Sequence, residues 1–382
     1  MRNDPFDELG VTRLINAAGT QTNLGGSLMP AEVVEAMASA SRSFVDMHEL
    51  HLAAGRRIAE LIGAPAAHIC GGASAGIALM ACACMTGSDV SRIRRLPNTS
   101  GMKSVFAVQK PHRSPFDRAL LLTGGTFLEV DPLEEELEKA LQGGVVALFH
   151  TEAWFCPRGF VPLDKAAQLA HRFGVPVIVD AAAELPPVSN FTTFLDQGAD
   201  LVTFSGGKAI QGPQGTGSIV GRPELVEACR LNDCPFASVG RSMKVSKEEV
   251  AGLVEAIKLY AAKDHAAEEK IWEERVYGML EILRDVPLVE AARQMPRGMG
   301  QLIPHVVLGW DPQEVGWTYE DLVEALLRSE PAIAVQLVDP SDDEGTDFAF
   351  PEIRIHPHTL RDGEAAIVAN KVRTLFESGG GG

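Results

Sequence analysis

The chain has 382 residues, 46% of them hydrophobic, and carries a formal net charge of −17. This length suits one large and one smaller domain, and this acidity disfavours nucleic-acid partners, whose phosphates it would repel. No apolar run is long enough to span a bilayer, and the N-terminus lacks a charged-then-apolar signal pattern, so we expect a cytoplasmic protein that binds no membrane.

The first quarter of the chain is predicted to be irregular and then helical. Turn signals at several glycines and at Pro30 indicate that residues 1–30 are irregular. Helices are predicted at 31–43, 52–62 and 74–85. The third contains Cys82 and Cys84, which we expect to be small buried apolar side chains. None of the 6 cysteines forms a CxxC pair, so we predict neither a metal site nor a disulfide.

Strands and helices then alternate along the chain. Strands are predicted at 104–108, 145–149, 175–179 and 201–204, and the intervening helices at 133–141 and 163–173. Such strict alternation predicts an α/β fold whose sheet is mostly parallel.

The character of the sequence changes near Ser246. Residues 247–284 have a long helical period with many charges, and we interpret them as an exposed or interdomain helix. Later strands (302–308, 333–337 and 353–355) and helices (319–328 and 363–377) indicate a smaller α+β domain. The predicted division is an N-terminal segment at 1–45, a large domain at 46–246 and a small C-terminal domain at 247–382.

Two residues follow buried strands in a way that favours catalysis. Asp180 ends the apolar run before it, and Lys208 comes just after the next strand, in Ser205-Gly206-Gly207-Lys208. Ligands of open α/β sheets bind beyond the carboxyl ends of the strands. A carboxylate there can keep a pyridinium nitrogen protonated, and a desolvated lysine can form an imine. Either residue alone would be taken as a helix cap or a surface lysine, but together they favour the functional interpretation.

Glycine-rich segments are candidate phosphate sites. Gly71-Gly72-Ala73-Ser74-Ala75-Gly76 leads into a helix, where free amides, the helix dipole and the Ser74 hydroxyl suit an anion. A tight turn before a closely packed helix is the alternative. Ser205 is a second candidate. The loop from Gly212 to Gly217 either contributes amides to the phosphate or is only a hairpin turn.

His112 and Arg354 each have two interpretations. His112 follows a predicted strand, and its ring either stacks on a cofactor or belongs to a surface loop. Arg354 alternates with isoleucines on a predicted strand, so its side chain points away from theirs. It either binds a substrate carboxylate in a bidentate pair or faces solvent.

These motifs resemble a known family. They are Ile15-Asn16-Ala17-Ala18-Gly19-Thr20, Thr22-Asn23-Leu24-Gly25, the Gly71-to-Gly76 segment, Val179-Asp180-Ala181-Ala182 and Phe204-Ser205-Gly206-Gly207-Lys208 with Gly212-Pro213-Gln214. The set is similar to the selenocysteine synthase-like family of fold-type-I pyridoxal-phosphate (PLP) enzymes. The ammonia-lyase branch that acts on D-glucosaminate 6-phosphate is the nearer one. The similarity runs from about Leu14 to Leu360.

The resemblance implies a cofactor, a fold and a set of site residues. Pyridoxal 5'-phosphate would be bound by a fold-type-I architecture, a large domain with a mostly parallel sheet and a smaller α+β domain. Lys208 would form the Schiff base and Asp180 would meet the ring nitrogen. The remaining roles would fall to His112 and Ala182 on the two ring faces, Ala73, Ser74 and Ser205 at the phosphate, Gly215 and Thr216 from a neighbouring subunit, and Arg354 at the substrate carboxylate.

Two departures bear on the reaction. Selenocysteine synthases carry an additional N-terminal region that grips tRNA, whereas here the Asn-Ala-Ala-Gly motif begins almost at once. Their arginine after Thr-Asn-Leu-Gly is replaced by Gly26. A selenium transferase or a non-catalytic tRNA-binding protein is therefore disfavoured.

The expected activity is a PLP-dependent lyase. It would remove water and ammonia from a 2-amino-3-hydroxy acid, for example an amino sugar acid such as D-glucosaminate or its 6-phosphate, and give a 2-keto acid. A racemase, an epimerase or an aldolase starts from the same carbanion and stays an alternative. We expect a homodimer or a higher homo-oligomer with shared active sites.

Overall fold

A computed structural model describes residues 4–153, 156, 159–296, 301–338 and 351–378. The chain divides into two compact units. The larger unit contains the described part of Ser27–Lys263 together with Gln301, and the smaller one contains residues 4–26, 264–296 and the described part of 302–378.

The helices and strands are numbered separately along the chain. The helices are α1 (Pro5–Leu9), α2 (Ala31–Ala40), α3 (Met47–Ile62), α4 (Ala73–Thr86), α5 (Val90–Arg95), α6 (Arg118–Leu121), α7 (Glu134–Gln142), α8 (Leu163–Arg172), α9 (Asn190–Asp196), α10 (Pro223–Asn232), α11 (Lys247–Ala262), α12 (His265–Leu283), α13 (Pro312–Val315), α14 (Tyr319–Leu327) and α15 (Glu364–Glu377). The strands are β1 (Leu14–Ala17), β2 (Ala67–Cys70), β3 (Val105–Gln109), β4 (Thr126–Val130), β5 (Ala147–Thr151), β6 (Val177–Asp180), β7 (Leu201–Ser205), β8 (Gly217–Gly221), β9 (Glu290–Gln294), β10 (His305–Gly309), β11 (Ala332–Val338) and β12 (Glu352–Ile355).

The larger unit is built on a seven-stranded sheet in the order β2-β8-β7-β6-β5-β3-β4. Strands β4, β3, β5, β6 and β7 are parallel, whereas β8 runs antiparallel to both of its neighbours. This arrangement confirms the predicted α/β class with a mostly parallel sheet. The carboxyl ends of five strands therefore meet at one edge, where ligands of such sheets bind.

The central strands are buried along their whole length. Every residue of β5 and β6 is buried, as expected for strands covered on both faces. Their register pairs Thr151 with Asp180, and Asp180 in turn pairs with Thr203 of β7. Strands β5 and β6 therefore end at this row, whereas β7 continues to Ser205, at the edge where the candidate site lies.

The structure corrects two predictions of secondary structure. Residues 1–30 are not wholly irregular, because Leu14–Ala17 forms β1, which pairs in parallel with β11. The predicted helix at 247–284 is two helices, α11 and α12. Lys263 between them has an extended backbone, and the Asp264 carboxylate caps α12 by accepting a hydrogen bond from the Ala267 amide at 3.0 Å.

The smaller unit has a five-stranded sheet in the order β1-β11-β12-β10-β9. Apolar side chains from this sheet, α12, α14 and α15 form its own core. The expected domain limits after residues 45 and 246 stay a prediction. Both α2 and α11 belong to the larger unit, where α11 packs on α2 and α3.

Three findings concern chemistry that the sequence disfavoured. Over the described ranges, no helix is both long and apolar enough to cross a membrane. In the same ranges, no group of three or more histidine, cysteine, aspartate or glutamate side chains is placed to hold a metal. All of the cysteines are free thiols.

Candidate active site

Asp180 lies at the carboxyl end of β6 and is buried, with 5% of its surface exposed. One carboxylate oxygen accepts a hydrogen bond from the Ala182 amide at 3.1 Å, which fixes the side chain at the turn after the strand. Burial raises the pKa of this carboxyl to about 6, while the Ala182 amide and the charge of Lys208 oppose the rise. A cationic partner would stabilise the ionised form of a carboxyl placed in this way.

Lys208 lies three residues beyond the end of β7 and is partly buried. Burial lowers the pKa of its ammonium, and the charges of Asp180 and Glu184 oppose that shift. Within the described residues the Lys208 Nζ has neither a hydrogen bond nor an ion pair. A desolvated and unpaired amine of this kind is the form that reacts with a carbonyl.

Helix α4 begins beside the same edge of the sheet. Gly72 at its N-cap has a left-handed φ of 91° and supplies no side chain, so no side-chain cap covers the first amides. Ala73 is buried and Ser74 is exposed at this end. The uncapped amides, the helix dipole and the Ser74 hydroxyl together suit a phosphate.

Close packing brings two glycine-rich segments against each other. A Cβ on Gly217, at the start of β8, would lie 2.6 Å from the carbonyl carbon of Gly72, so only glycine fits there. A Cβ on Gly207 would lie 2.5 Å from the Cα of Gln214. The segment from Gln214 to Gly217 thus packs closely against both the start of α4 and the segment after Ser205.

Gly215 and Thr216 lie in the turn before β8. Gly215 is exposed, but Thr216 is fully buried and its hydroxyl donates to the carbonyl of Pro213 at 2.6 Å. The Thr216 side chain is therefore engaged within its own turn, and a role at a second subunit's phosphate stays a prediction. Gly217 pairs with Cys70 and with Ser205, so the turn also enters a strand, as its alternative interpretation required.

His112 is fully buried, which rules out the surface-loop interpretation. Its carbonyl accepts a hydrogen bond from the Thr151 hydroxyl at 2.9 Å, which ties the turn after β3 to the end of β5. The His112 ring meets the rings of His150 and Phe160 edge to face, with centroids 4.0 and 4.6 Å away. Among the described residues neither of its ring nitrogens has a hydrogen-bond partner. Burial lowers its pKa to about 2, so the ring is neutral.

Sequence analysis missed a pair of ionisable residues at the end of β5. His150 Nε2 lies 2.9 Å from the Oε1 of Glu152, and both side chains are buried. The Glu152 amide donates to the carbonyl of Asp180 at 2.8 Å. The signal was available, because the run ending in His150-Thr151-Glu152 leaves a buried strand just as Asp180 does.

Glu184 is a further missed residue. It lies four positions after Asp180 and is buried, with 3% exposed. Its charge opposes the lowering of the Lys208 pKa by burial. It also raises the pKa of the Cys156 thiol, although burial and the charges of Glu152 and Asp180 are larger causes. Two carboxylates, those of Asp180 and Glu184, therefore act on the lysine.

Arg354 lies in the smaller unit, on β12, and is buried rather than solvent-facing. Its Nε donates to the Oε1 of Glu352 at 2.6 Å, two residues earlier on the same face of the strand. This pair satisfies at least part of the guanidinium. Binding of a substrate carboxylate by Arg354 stays a prediction.

The observed residues fit the cofactor that the sequence indicates. A buried carboxylate, a lysine amine without an ion pair, a buried histidine ring whose nitrogens lack partners among the described residues and an uncapped helix N-terminus would suit the ring nitrogen, the aldehyde, the ring face and the phosphate of PLP. The fold and the site define a PLP enzyme of fold type I.

Comparisons with known proteins place the chain within that class. The family model for L-seryl-tRNA selenium transferase matches residues 159–282. A 5'-C-glycyluridine monooxygenase-decarboxylase of Streptomyces is 32% identical over 98% of this chain and 93% of its own length. D-glucosaminate-6-phosphate ammonia lyase of Salmonella typhimurium is 29% identical over 97% of this chain and 98% of its own. The chain belongs to the selenocysteine synthase-like family of fold-type-I PLP enzymes.

Solved structures agree with this assignment. A structure of D-glucosaminate-6-phosphate ammonia-lyase matches with a TM-score of 0.82 and 27% identity over 99% of this chain and 100% of that one. Serine palmitoyltransferase of Sphingomonas wittichii matches with a TM-score of 0.62 and 15% identity over 96% of this chain and 88% of that one. The second match shows the shared fold alone.

Proposed function

We propose that the protein is a PLP-dependent lyase that removes water and ammonia from a 2-amino-3-hydroxy acid to give a 2-keto acid. The proposed substrates are amino sugar acids such as D-glucosaminate or its 6-phosphate. The observation that carries the proposal is the buried carboxylate of Asp180 at the end of β6, together with the desolvated amine of Lys208 three residues after the adjacent β7. Similarity to an ammonia lyase over nearly the whole chain supports the reaction class.

Lys208 has two tasks in this proposal. It would hold the cofactor covalently until the substrate amine replaces it, and its freed Nζ would then take the proton from the substrate Cα. The cofactor, when bound, supplies an electron sink for the pair of electrons left on that carbon. Burial lowers the pKa of Lys208, so at neutral pH more of it is the neutral amine than for a surface lysine. Only the neutral amine can accept a proton.

Asp180 would hold a proton on the ring nitrogen of the cofactor. The buried carboxylate is stabilised by a nearby cation, so the pair gains in a site from which water is excluded. His112 and Ala182 would flank the ring, and the unbonded ring nitrogens of His112 leave room for a partner there. The phosphate would be held by the start of α4, through Ala73 and Ser74, and by Ser205.

The proposal includes a homodimer or a higher homo-oligomer. Gly215 and Thr216 of a second copy would then approach the phosphate with their backbone amides, because the Thr216 hydroxyl is already bonded within its turn. Light scattering at micromolar concentration is expected to give at least a dimer. A stable monomer with full activity would remove these two residues from the site.

A second candidate is oxygen-dependent decarboxylation of an amino acid. It is favoured by the 32% identity to a monooxygenase-decarboxylase. The same electron sink at the substrate Cα serves loss of a carboxylate as well as loss of a proton. The two candidates differ in their products, since only this one consumes oxygen and releases carbon dioxide.

One panel separates the candidates. The holoenzyme would be incubated with D-glucosaminate, its 6-phosphate, the serine and threonine isomers, and amino acids without a β-hydroxyl. We expect ammonia and 2-keto acid in equal amounts, only from substrates with a β-hydroxyl, with no oxygen uptake. Oxygen uptake with carbon dioxide release would favour the second candidate. Loss of chirality alone or release of an aldehyde would contradict the lyase.

A further inference from the structure

The strongest unassigned feature is the buried pair His150 and Glu152. Its two side chains meet at 2.9 Å between Nε2 and Oε1, at the end of β5. The Glu152 amide is hydrogen-bonded to the carbonyl of Asp180, so the backbone of Glu152 is fixed against the residue proposed to meet the cofactor ring. A buried ionisable side chain at this edge of the sheet needs an explanation beyond packing.

The two oxygens of the Glu152 carboxylate differ. Oε1 is held by His150, whereas Oε2 has no hydrogen-bond partner among the described residues. The side chain of Glu152 keeps 10% of its surface accessible, although that of His150 is fully buried. One oxygen of the carboxylate is thus fixed by His150, and the side chain is not completely buried.

Elimination of water needs a proton donor at the β-hydroxyl, and the proposed function gives Lys208, Asp180 and His112 other tasks. Lys208 is occupied with the α-proton, and Asp180 must stay with the ring nitrogen. His112 is buried in an apolar contact with Phe160 and is neutral. Hydroxide is a poor leaving group, so a positioned acid is needed to release it as water.

We propose that Glu152 is the general acid that protonates the departing β-hydroxyl, and that His150 is a positioning residue which holds its carboxyl group. The inference rests on the proposed lyase function. The carboxyl proton moves from Oε2 to the hydroxyl oxygen as the Cβ–O bond breaks, and water leaves. The electron pair of the former Cα–H bond forms the Cα–Cβ double bond. The proton that Lys208 removed is then available to restore the Glu152 carboxyl.

The surroundings of Glu152 support an acid at neutral pH. Burial raises its pKa to about 7, so the protonated carboxyl is accessible near neutral pH. Burial lowers the pKa of His150 to about 3, so the ring orients the carboxyl without forming a full ion pair with it. The other ionisable groups of the cluster are His112, Cys156, Asp180, Glu184 and Lys208.

The decisive variant is Glu152→Gln, tested in the holoenzyme with D-glucosaminate 6-phosphate in deuterium oxide. We expect ammonia release to fall by about 100-fold or more, as for the loss of a general acid. Exchange of the substrate α-hydrogen for deuterium should stay within about 5-fold of wild type, because Lys208 performs it. The fall should lie in kcat, with KM within about 3-fold. Glu152→Asp should recover part of the loss.

The pH profile gives a second test. In the wild type kcat is expected to fall as the pH rises through about 7, where Glu152 loses its proton. This limb should disappear in Glu152→Gln and should shift in His150→Gln, which removes the positioning ring. A shift of the limb without loss of folding would not arise from a purely structural histidine.

A matched control is Glu135→Gln, an exposed residue of α7, which should behave as wild type in every measurement. Cofactor absorbance verifies that each variant is loaded. Parallel loss of α-hydrogen exchange and ammonia release in Glu152→Gln would overturn the assignment, and so would ammonia release within about 5-fold of wild type. If the wild type itself exchanges the α-hydrogen but releases no ammonia from any hydroxy substrate, the lyase proposal fails, and the acid role fails with it.

Discussion

Paired polar groups of the smaller unit can be compared with the polar groups at the proposed site of the larger unit. In the smaller unit, Arg354 pairs with Glu352 on the same strand, and His356 is bonded to Gln336 at 2.6 Å. At the sheet edge of the larger unit, the Lys208 amine has no ion pair and the ring nitrogens of His112 have no hydrogen bond within the described residues. Because buried polar groups are normally satisfied, those at a sheet edge that lack partners indicate where a ligand belongs.

The electrostatics differ in the same way. The pKa of Asp180 is raised to about 6 and that of Glu152 to about 7, because burial penalises carboxylates that lack a full cationic partner. Arg222 and Asp200 show the contrast within the larger unit, since their ion pair at 2.8 Å compensates a carboxylate that is equally buried. The two raised pKa values thus belong to carboxyl groups at the carboxyl ends of neighbouring strands, where the site is proposed.

The largest expected effect is on Lys208. Lys208→Ala should lower kcat by a factor on the order of 10⁴, since both the covalent attachment and the α-proton base are lost. Steady-state ammonia release measures the loss. Lys258→Ala, an exposed lysine of α11 paired with Glu255, is the matched control and should keep full activity. Activity within about tenfold of wild type in Lys208→Ala would remove the functional contrast between the two regions.

Arg354 tests the other region. Arg354→Leu should lower the free energy of unfolding by about 3–5 kcal/mol, because buried Glu352 would lose this cationic partner. Urea unfolding of the apoprotein measures this. The double variant Arg354→Leu/Glu352→Leu should recover most of the stability. If Arg354 also binds the substrate carboxylate, KM should be about 10-fold above the wild-type value in both the single and the double variant. Recovery of KM along with stability would make Arg354 purely structural.

Asp180 is expected to affect turnover more than stability. Asp180→Ala should retain PLP but lose about 3 kcal/mol of transition-state stabilisation, a loss of more than about 100-fold in kcat. Asp200→Asn supplies the opposite pattern, because it weakens an ion pair and should lower the unfolding temperature with kcat little changed. If Asp180→Ala turns over like wild type, the residue is only a cap for the turn that contains Ala182.

The smallest effect is the pH dependence of stability. A carboxyl whose pKa is raised on folding stabilises the protein below its unfolded pKa, and this stabilisation is lost as the pH rises through the folded value. For Glu152, the window runs from about 4.5 to about 7. Between these limits the apoprotein should lose about 2–3 kcal/mol relative to Glu152→Gln. Urea titrations across this range measure the difference, and parallel curves for the two proteins would contradict the raised pKa.

Much of the fold followed from the sequence because its signals are local. The apolar runs before these two residues correctly placed Asp180 at the end of one strand and Lys208 just after the next. Pairings between distant segments carried no such signal, so β1, whose Leu14 pairs with Ala332 of β11, was missed. Arg354 was expected to face solvent or substrate. Its pairing with Glu352 was missed because it depends on the burial of that strand, which the sequence pattern does not show.

The candidate site was predicted only in part, for a similar reason. A pattern of residue types points to Lys208 and Asp180 as candidate site residues. The proposed role of Glu152, in contrast, depends on its burial and on its contact with His150. The break between α11 and α12 was missed because the helical period continues through Lys263 and Asp264. The Asp264 cap marks this break in the structure.

Reduction of the holoenzyme with borohydride tests the central claim most directly. The protein as purified should be yellow, and reduction should fix the cofactor to one lysine in a stoichiometric amount. Peptide mapping is expected to find the label on Lys208. Label on any other lysine, or no label from a protein that carries PLP, would contradict the assignment of Lys208 as the residue that binds the cofactor.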